Sequence, residues 1–426
     1  MAGMNPQFSD SQFMPGCPRC PHGPMLALLN TQSPSDRFAC SAFRNKADCG
    51  KDARLQNGSR LHWSVNELLK AAPGDRGYCI ECDCLYRCSI TSRHVAHKTQ
   101  IGLTDDLLRM PSFLLKPMAN SSGHAQYFFS LESLNHLYSI FCQVGAQFVL
   151  CIGSPRMHEF IQLQRTHRSQ PMDSHLLDMD FRLKSFYGEK FSRYNMVNGF
   201  LFTPTDDSCF QSFCTRAKEL SKCVLFCDPP FASPLCLILK QMDSLRSLLS
   251  DRNCDKVMNK KPSAGSGRNL TPIFFVLPYF FEHKLQKMAP FFALLDYKVT
   301  YTNHPRFDCD LSIRNERNSG RRRDSVVRLF TDMSPSAVRP PEGLDSMFRF
   351  CEVCQRYSFL TNQHCSKCGK CPSKHGPTYV HCDLCGRCRP PNRKHCSQCG
   401  RCVPIGQCAH EQMNNSGTQR KRKRHC

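Results

Sequence analysis

The sequence predicts an α/β protein, a mostly parallel sheet domain flanked on both sides by zinc-organised segments. Three observations carry this. Short β-rich runs between residues 148 and 330 are separated by helix-length segments, as in sheets built with crossover helices. The 30 cysteines are unevenly placed, with 8 in residues 1–90, 9 in 91–350 and 13 in 351–426. The two terminal groups come as C-x-x-C pairs beside His, while the middle ones are scattered singly. In reducing compartments such pairs mean metal, and disulfides would not need His at fixed offsets.

The chain of 426 residues carries 57 Lys+Arg against 35 Asp+Glu, a formal charge of +22. That excess favours a polyanionic partner, nucleic acid before an acidic membrane surface. A hydrophobic content of 40% excludes a mainly disordered chain. No window holds the ~18 apolar residues of a spanning helix, and MAGMNPQFSDSQFMPGCPRC reads as no signal peptide. The expected division is 17–55 and 75–100 as two zinc fingers, 115–335 as the sheet domain, 348–411 as a multi-zinc segment and 412–426 as a basic tail. Within the sheet domain, 251–270 reads as a solvated linker or insertion.

Residues 127–144 (YFFSLESLNHLYSIFCQV) have helical spacing. The strand-like runs are FVLCIG (148–153), HLLDMDF (175–181), CVLFCDPPF (223–231), PIFFVLP (272–278), YKVTYT (297–302) and VVRLF (326–330). Parallel sheets place ligands at the carboxyl ends of their strands. The chemistry is therefore expected just after these runs, at Gly153, Asp180, Asp228 and Pro278.

Asp228-Pro229-Pro230-Phe231 stands out. Two prolines supply no N–H and cannot continue a central strand, so the chain must leave the sheet in a stiff loop. That loop suits methylation of an exocyclic amine on a base. Such an amine delocalises its lone pair into the ring. Hydrogen bonds from its N–H groups to the Asp228 carboxylate and the Pro229 carbonyl would localise that pair toward a methyl donor, and Phe231 would stack on a base freed from its helix. The bland alternative is a plain turn after a strand. The donor-site candidate is Gly153-Ser154-Pro155-Arg156, a Gly between a strand and a helix where a ligand can approach the backbone. Of Asp178 and Asp180, Asp180 is the better placed to take a ribose hydroxyl, although the pair could equally cap a helix. Asn195 and Asn198 could read donor or base edges, or belong to a polar loop.

At this point the residues resemble a known family. D-P-P-F after a strand is similar to the adenine-N6 branch of the S-adenosylmethionine-dependent methyltransferases. Together CIGSPRMHEF, LLDMDFR, YNMVN, CDPPF and LPYFFE resemble the zinc-finger CCHC-domain ribosomal RNA adenine-N6 methyltransferases, from about residue 17 to residue 410. The resemblance implies a Rossmann-like methyltransferase domain, donor contacts at Gly153 to Arg156, Arg182 and Asp228, and base handling by Asp228 to Phe231. It places Pro278-Tyr279-Phe280-Phe281 along the base pocket and implies S-adenosylmethionine and zinc as cofactors and large-subunit ribosomal RNA as partner. The knuckle C-x-x-C-x4-H-x4-C that names the family does not occur after residue 402, so RNA contacts of that knuckle do not carry over.

In the first finger, Cys20, His22, Cys40 and Cys49 supply four ligands, with Cys17 an alternative to Cys20. The set resembles a GRF-type finger, a single-stranded nucleic-acid module, in which Arg37, Phe38 and Arg44 would contact phosphate and bases. It could also simply brace the catalytic domain. The second finger takes Cys79, Cys82, His94 and His97, with Cys84 and Cys88 as rivals.

After Cys351-x-x-Cys354, the unit H-C-x-x-C-x-x-C occurs at 364–371, 381–388 and 395–402. It invites an interleaved scheme: Cys351, Cys354, His364 and Cys371; Cys365, Cys368, His381 and Cys388; Cys382, Cys385, His395 and Cys402; then Cys396, Cys399, Cys408 and His410. The scheme uses every Cys of the repeats and leaves His375 over. Metal binding would supply most of the folding free energy of a segment with little apolar core. The cluster also resembles the zinc half of palmitoyltransferases, but there is no D-H-H-C and no flanking membrane span. Lys260-Lys261, Arg321-Arg322-Arg323 and Arg420-Lys421-Arg422-Lys423-Arg424 are basic runs, the last readable as a nuclear and nucleolar signal, with the cytoplasm as a further location.

The leading expectation is an RNA adenine-N6 methyltransferase. The alternatives are a non-catalytic zinc-finger nucleic-acid binder with a degenerate Rossmann-like domain and a zinc-organised protein-interaction or ubiquitin-pathway module. Asp228 with Phe231 separates the first from the second, and the extended repeat does not suggest the cross-brace of the third.

Overall fold

The structure is a computed structural model. It describes residues 7–8, 18–29, 38–42, 49–50, 63–90, 93–117, 126–165, 172–220, 222–250, 271–304, 325–373, 377–408 and 410. Cys17, Arg37, Arg44, Lys260, Lys261, Arg321 to Arg323, His375 and the 420–424 run lie outside the described residues.

One eight-stranded sheet organises the chain. Its strands are β1 (Phe148–Ile152), β2 (Asp173–Asp178), β3 (Phe191–Asn195), β4 (Phe200–Leu201), β5 (Cys223–Cys227), β6 (Ile273–Pro278), β7 (Ala293–Lys298) and β8 (Val327–Thr331), in the order β4-β3-β2-β1-β5-β6-β8-β7. Strands β3, β2, β1, β5 and β6 run parallel, while β8 inserts antiparallel between β6 and β7. The mostly parallel, Rossmann-like sheet read from the sequence is therefore present.

Side-chain alternation sorts each central strand onto two cores. Val149, Cys151, Val224, Phe226, Phe274 and Val276 face one core with helices α1 (Leu131–Gln143) and α2 (Pro155–Gln164). Leu150, Ile152, Leu225, Cys227, Phe275 and Leu277 face the other with α3 (Pro204–Leu220) and α4 (Leu235–Leu249). Both faces are covered, so these strands read as unbroken apolar runs rather than alternating ones.

Three details depart from the expectations. Helix α1 begins at Leu131, capped by Ser130, which accepts from the Ser133 N–H at 3.1 Å. Residues 127–129 before it are not helical, and Phe129 bridges to Tyr301. The 297–302 run overlaps β7 only at its start. Strand β3 was not expected, because FSRYN carries polar residues. All five residues are nonetheless buried, and the polar ones have partners: the Ser192 hydroxyl donates to the Asp206 carbonyl and Arg193 Nε to the Met179 carbonyl. Partnered polar groups can be buried where lone ones cannot.

The N-terminal segments pack into this frame. A three-stranded sheet of Arg76–Cys79, Cys84–Arg87 and Thr99–Ile101 buries Tyr78 and Leu85 in the α1-side core, and Leu26 enters the α3-side core. At the other end, Phe348 stacks on Phe359 at 4.4 Å and meets Tyr297 edge-on at 5.2 Å. No helix among the described residues is long and apolar enough to cross a membrane.

Candidate active site and zinc cages

The chemistry gathers where β1, β2 and β5 end side by side. Gly153 follows β1 at φ +65°, a conformation that favours glycine. A Cβ there would lie 2.9 Å from the Asp228 carbonyl oxygen, so only glycine lets the two loops meet. The Asp228 N–H donates to the Ile152 carbonyl at 3.0 Å, which fixes the D-P-P-F corner against β1. Pro229 is buried, while Pro230 and Phe231 are half-buried, and Phe231 packs on the edges of both cores. The Pro230 carbonyl accepts the Ser233 N–H at 2.8 Å, closing the turn.

Burial drives the Asp228 carboxyl well above the usual carboxylate range, opposed by the neighbouring Tyr301 hydroxyl and reinforced by the charge of Asp178. Tyr301 is fully buried and stacked on Phe129 at 5.3 Å. Sequence did not single it out: it lies within the strand-like run 297–302, whereas β7 itself ends at Lys298.

The structure divides the two acidic candidates. Asp180 caps a short 3₁₀ turn and holds Arg182 through two 2.8 Å contacts. Arg182 also reaches Asp83 at 3.3 Å and the Lys116 carbonyl at 3.1 Å. For Asp180 the helix-cap alternative is what is seen, and the Arg182 guanidinium is committed to protein groups. Asp178 ends β2, and its carboxylate accepts the Asp180 N–H at 2.9 Å. Burial is the largest influence on it and pushes it up to about 7.

Pro155 opens α2, and the Ser154 hydroxyl before it is buried close to the Cys151 thiol. The Arg156 guanidinium contacts Glu159 and the Ser112 hydroxyl and lies 5.2 Å over the Phe113 ring. A narrow cleft opens here, lined by Ser112, Gln126, Phe128, Pro155, Arg156 and Asp180 among others. At the ends of β1 and β2 the Ser154 hydroxyl and the Asp178 carboxyl supply the polar groups that a ribose-bearing ligand such as S-adenosylmethionine needs. Gln126 and Phe128 were not singled out from sequence. They reach the cleft because Asn303 accepts the Phe128 N–H at 2.7 Å and donates to the Gln126 carbonyl at 2.9 Å, a pairing across some 175 residues that no local pattern encodes.

Asn195 and Asn198 are not arranged as expected. Their side-chain Nδ2 groups donate to the His22 carbonyl, each at 3.0 Å, and to the Ser41 hydroxyl, each at 2.8 Å. Their Oδ1 atoms accept the Val197 and Phe200 N–H groups at 3.1 Å. The amides hold the first finger, and their N–H donors are spent on it. Beyond β6, Tyr279 and Phe281 are half-buried, whereas Phe280 is exposed.

The expected ligand sets converge into six cages. Tetrahedral zinc with bonds near 2.3 Å to sulfur and 2.0–2.1 Å to nitrogen has ligand–ligand edges of about 3.6–3.8 Å. In the first finger, His22 Nδ1 lies 3.8, 3.4 and 3.4 Å from the thiols of Cys20, Cys40 and Cys49. In the second, His97 Nδ1 is 3.5 Å from Cys79, 3.3 Å from Cys82 and 3.5 Å from His94 Nδ1. Cys84 instead faces the other ring nitrogen of His94 at 4.0 Å.

The interleaved C-terminal sets behave alike. His364 lies 3.6 and 3.3 Å from Cys351 and Cys354, with Cys371 3.9 Å from Cys354. His381 lies 3.6, 3.2 and 3.8 Å from Cys365, Cys368 and Cys388. His395 lies 3.7 and 3.2 Å from Cys382 and Cys385, with Cys402 3.6 Å from Cys385. His410 lies 3.8, 3.3 and 3.8 Å from Cys396, Cys399 and Cys408. Donor chemistry and edge lengths both fit zinc.

Comparison with known proteins agrees with this geometry. Residues 120–304 match the family described as "Probable N6-adenine methyltransferase". The human rRNA N(6)-adenosine-methyltransferase ZCCHC4 is 32% identical over 394 residues, covering 84% of this chain and 72% of the human protein. The mouse protein of that name is 31% identical over 381 residues (82% and 70%), and the Xenopus laevis one 32% over 380 (82% and 72%). The chain belongs to the rRNA N6-adenosine-methyltransferase family.

Proposed function

We infer that this protein transfers a methyl group from S-adenosylmethionine to the exocyclic N6 of an adenosine in ribosomal RNA. The observation that carries the reading is the D-P-P-F corner, fixed against the Gly153 loop at the ligand edge of the sheet. The relatives named as rRNA N6-adenosine methyltransferases support it. We further propose the large-subunit RNA as the target and the nucleus and nucleolus as the location. Fluorescent fusions with and without residues 412–426 test the location, and a wholly cytoplasmic signal would contradict it.

The bound donor supplies an electrophilic methyl group on its sulfonium. Asp178 would accept its ribose hydroxyls, while Gly153 lets the β1 and β5 loops close on each other and Ser154 offers a hydroxyl to its polar part. On the acceptor side, the Asp228 carboxylate and the Pro229 carbonyl each take one N–H of the adenine amine. This localises the nitrogen lone pair, and the Phe231 ring stacks on the base. Transfer of the methyl group from the sulfonium would leave the nitrogen with a proton to shed. Asp228 in its ionised form, whose burial raises its proton affinity, would be the acceptor at that position. Positioning and preorganised charge carry the catalysis, and no covalent enzyme intermediate is needed.

Incubating purified ribosomal RNA with the protein and labelled donor, then digesting to nucleosides, tests this reading. Label in N6-methyladenosine is expected. Label in another nucleoside, or none, would refute the assignment.

A further inference from the structure

The side chains that hold the first finger also border the donor loop. Asn195 ends β3 and Asn198 lies three residues on. Their Nδ2 groups converge on the backbone carbonyl of His22, whose ring is a ligand of the first cage, and on Ser41 Oγ. Asn198 Nδ2 also lies 3.0 Å from the Pro24 carbonyl. Finger and turn touch directly, since a Cβ on Gly23 would lie 2.6 Å from the Phe200 ring and 2.9 Å from Asn198 Nδ2. Met196 sits between the two asparagines, buried, and its methyl would lie 2.4 Å from a Cβ on Gly153. The turn therefore grips the finger at one end and presses on Gly153 at the other. Gly153 in turn abuts the Asp228 carbonyl.

A small zinc finger has two states, folded with its metal and unfolded without it. Only the folded state presents the His22 carbonyl where both amides can reach it. We propose that Asn195 and Asn198 are positioning residues that couple the zinc-loaded first finger to the methyl-donor loop, so that metal in this finger sets the affinity for S-adenosylmethionine. The coupling rests on the reading of 153–156 as the donor loop. It is reciprocal, because a ligand favoured by the braced turn must also favour the metal-loaded finger.

The test is calorimetric titration of the full-length zinc-loaded protein with S-adenosylmethionine, without RNA, beside zinc analysis. Asn195→Asp with Asn198→Asp keeps the Oδ1 acceptors for Val197 and Phe200 but removes the donors to His22. It should weaken donor binding about tenfold with its zinc content that of the wild type. Ser41→Ala, an uncharged change on the finger side, should weaken it about two- to threefold. Zinc release to a chelator should slow when donor is added to the wild type and should not slow in the Asp pair. Asp178→Asn reports on the donor-site reading itself. If it weakens donor binding while both clamp variants bind like the wild type, the coupling is wrong and the reading stands. If Asp178→Asn binds like the wild type, the reading fails. Should the Asp pair not fold, Ser41→Ala decides, and unchanged donor affinity there overturns the proposal.

Discussion

The two zinc regions obey the same ligand chemistry but sit differently in the molecule. The N-terminal cages are woven into the catalytic frame. Tyr78 and Leu85, flanking the second cage, belong to the main core, and Asp83, between Cys82 and Cys84, accepts from Arg182 after β2. The C-terminal array touches the frame chiefly through its first unit. There, Arg356 donates to the Leu294 carbonyl at 3.0 Å, and Asp296 accepts from Asn362 at 2.8 Å. Farther along, the hairpins expose Val380, Leu384 and Ile405 and have half-buried cages. Metal in the first region therefore supports the fold of the enzyme, while metal in the second supports a surface. One chemistry serves as buttress or as platform depending on what packs against it.

The sharpest way to break this contrast is to remove one cage from each region. Cys79→Ser with Cys82→Ser should abolish soluble folded protein, because structural zinc supplies about 10 kcal/mol or more of folding free energy in such sites. Cys396→Ser with Cys399→Ser should lower the zinc count from six to five and leave the thermal transition of the sheet domain in place. Calorimetric melting with elemental analysis checks both. Equal loss of folding in the two variants would erase the distinction, and two or fewer zinc ions in the wild type would overturn the interleaved pairing.

A smaller effect is expected at the donor edge. Asp178 must be ionised to accept ribose hydroxyls, and burial pushes it up to about 7. Lowering the pH through that value protonates it, so donor affinity should be weaker at pH 6 than at pH 8. Asp178→Asn should weaken binding about tenfold at pH 8 and flatten the pH profile. A wild-type affinity independent of pH across this window would remove Asp178 from the site.

Smaller again is the effect expected at Phe280, in the proposed base pocket. Phe280→Ala should raise the KM for RNA about fivefold, in the range of one lost stacking contact, with the donor dissociation constant unchanged. The least effect is expected from the last cage, where Cys396→Ser with Cys399→Ser should weaken RNA affinity about two- to threefold with kcat preserved. A larger fall in kcat than in RNA affinity would mean that the platform reaches the catalytic centre.

Much of this was legible in the sequence where the signal is local. Strands β1, β5 and β6 showed because both faces are buried and the runs are apolar throughout. The C-terminal cages showed because tetrahedral metal demands its ligands at fixed short spacings, and the repeat supplies them in register. Strand β3 stayed hidden because its polar residues are satisfied by partners distant in sequence, such as Asn195 with His22, 173 positions away. For the same reason Asn195 and Asn198 looked like ligand-reading amides. Asp180 looked better placed than Asp178 because sequence does not show that Arg182 folds back onto it. Tyr301 and Asn303 reach the site through a bridge to residues 126–129, which periodicity does not reveal.

The most direct test of the central claim is single-turnover methyl transfer by Asp228→Ala, run with labelled donor and ribosomal RNA. The account predicts a rate lowered by about a thousandfold or more, with six zinc ions and the wild-type melting transition retained. Transfer at the wild-type rate by that variant would contradict it.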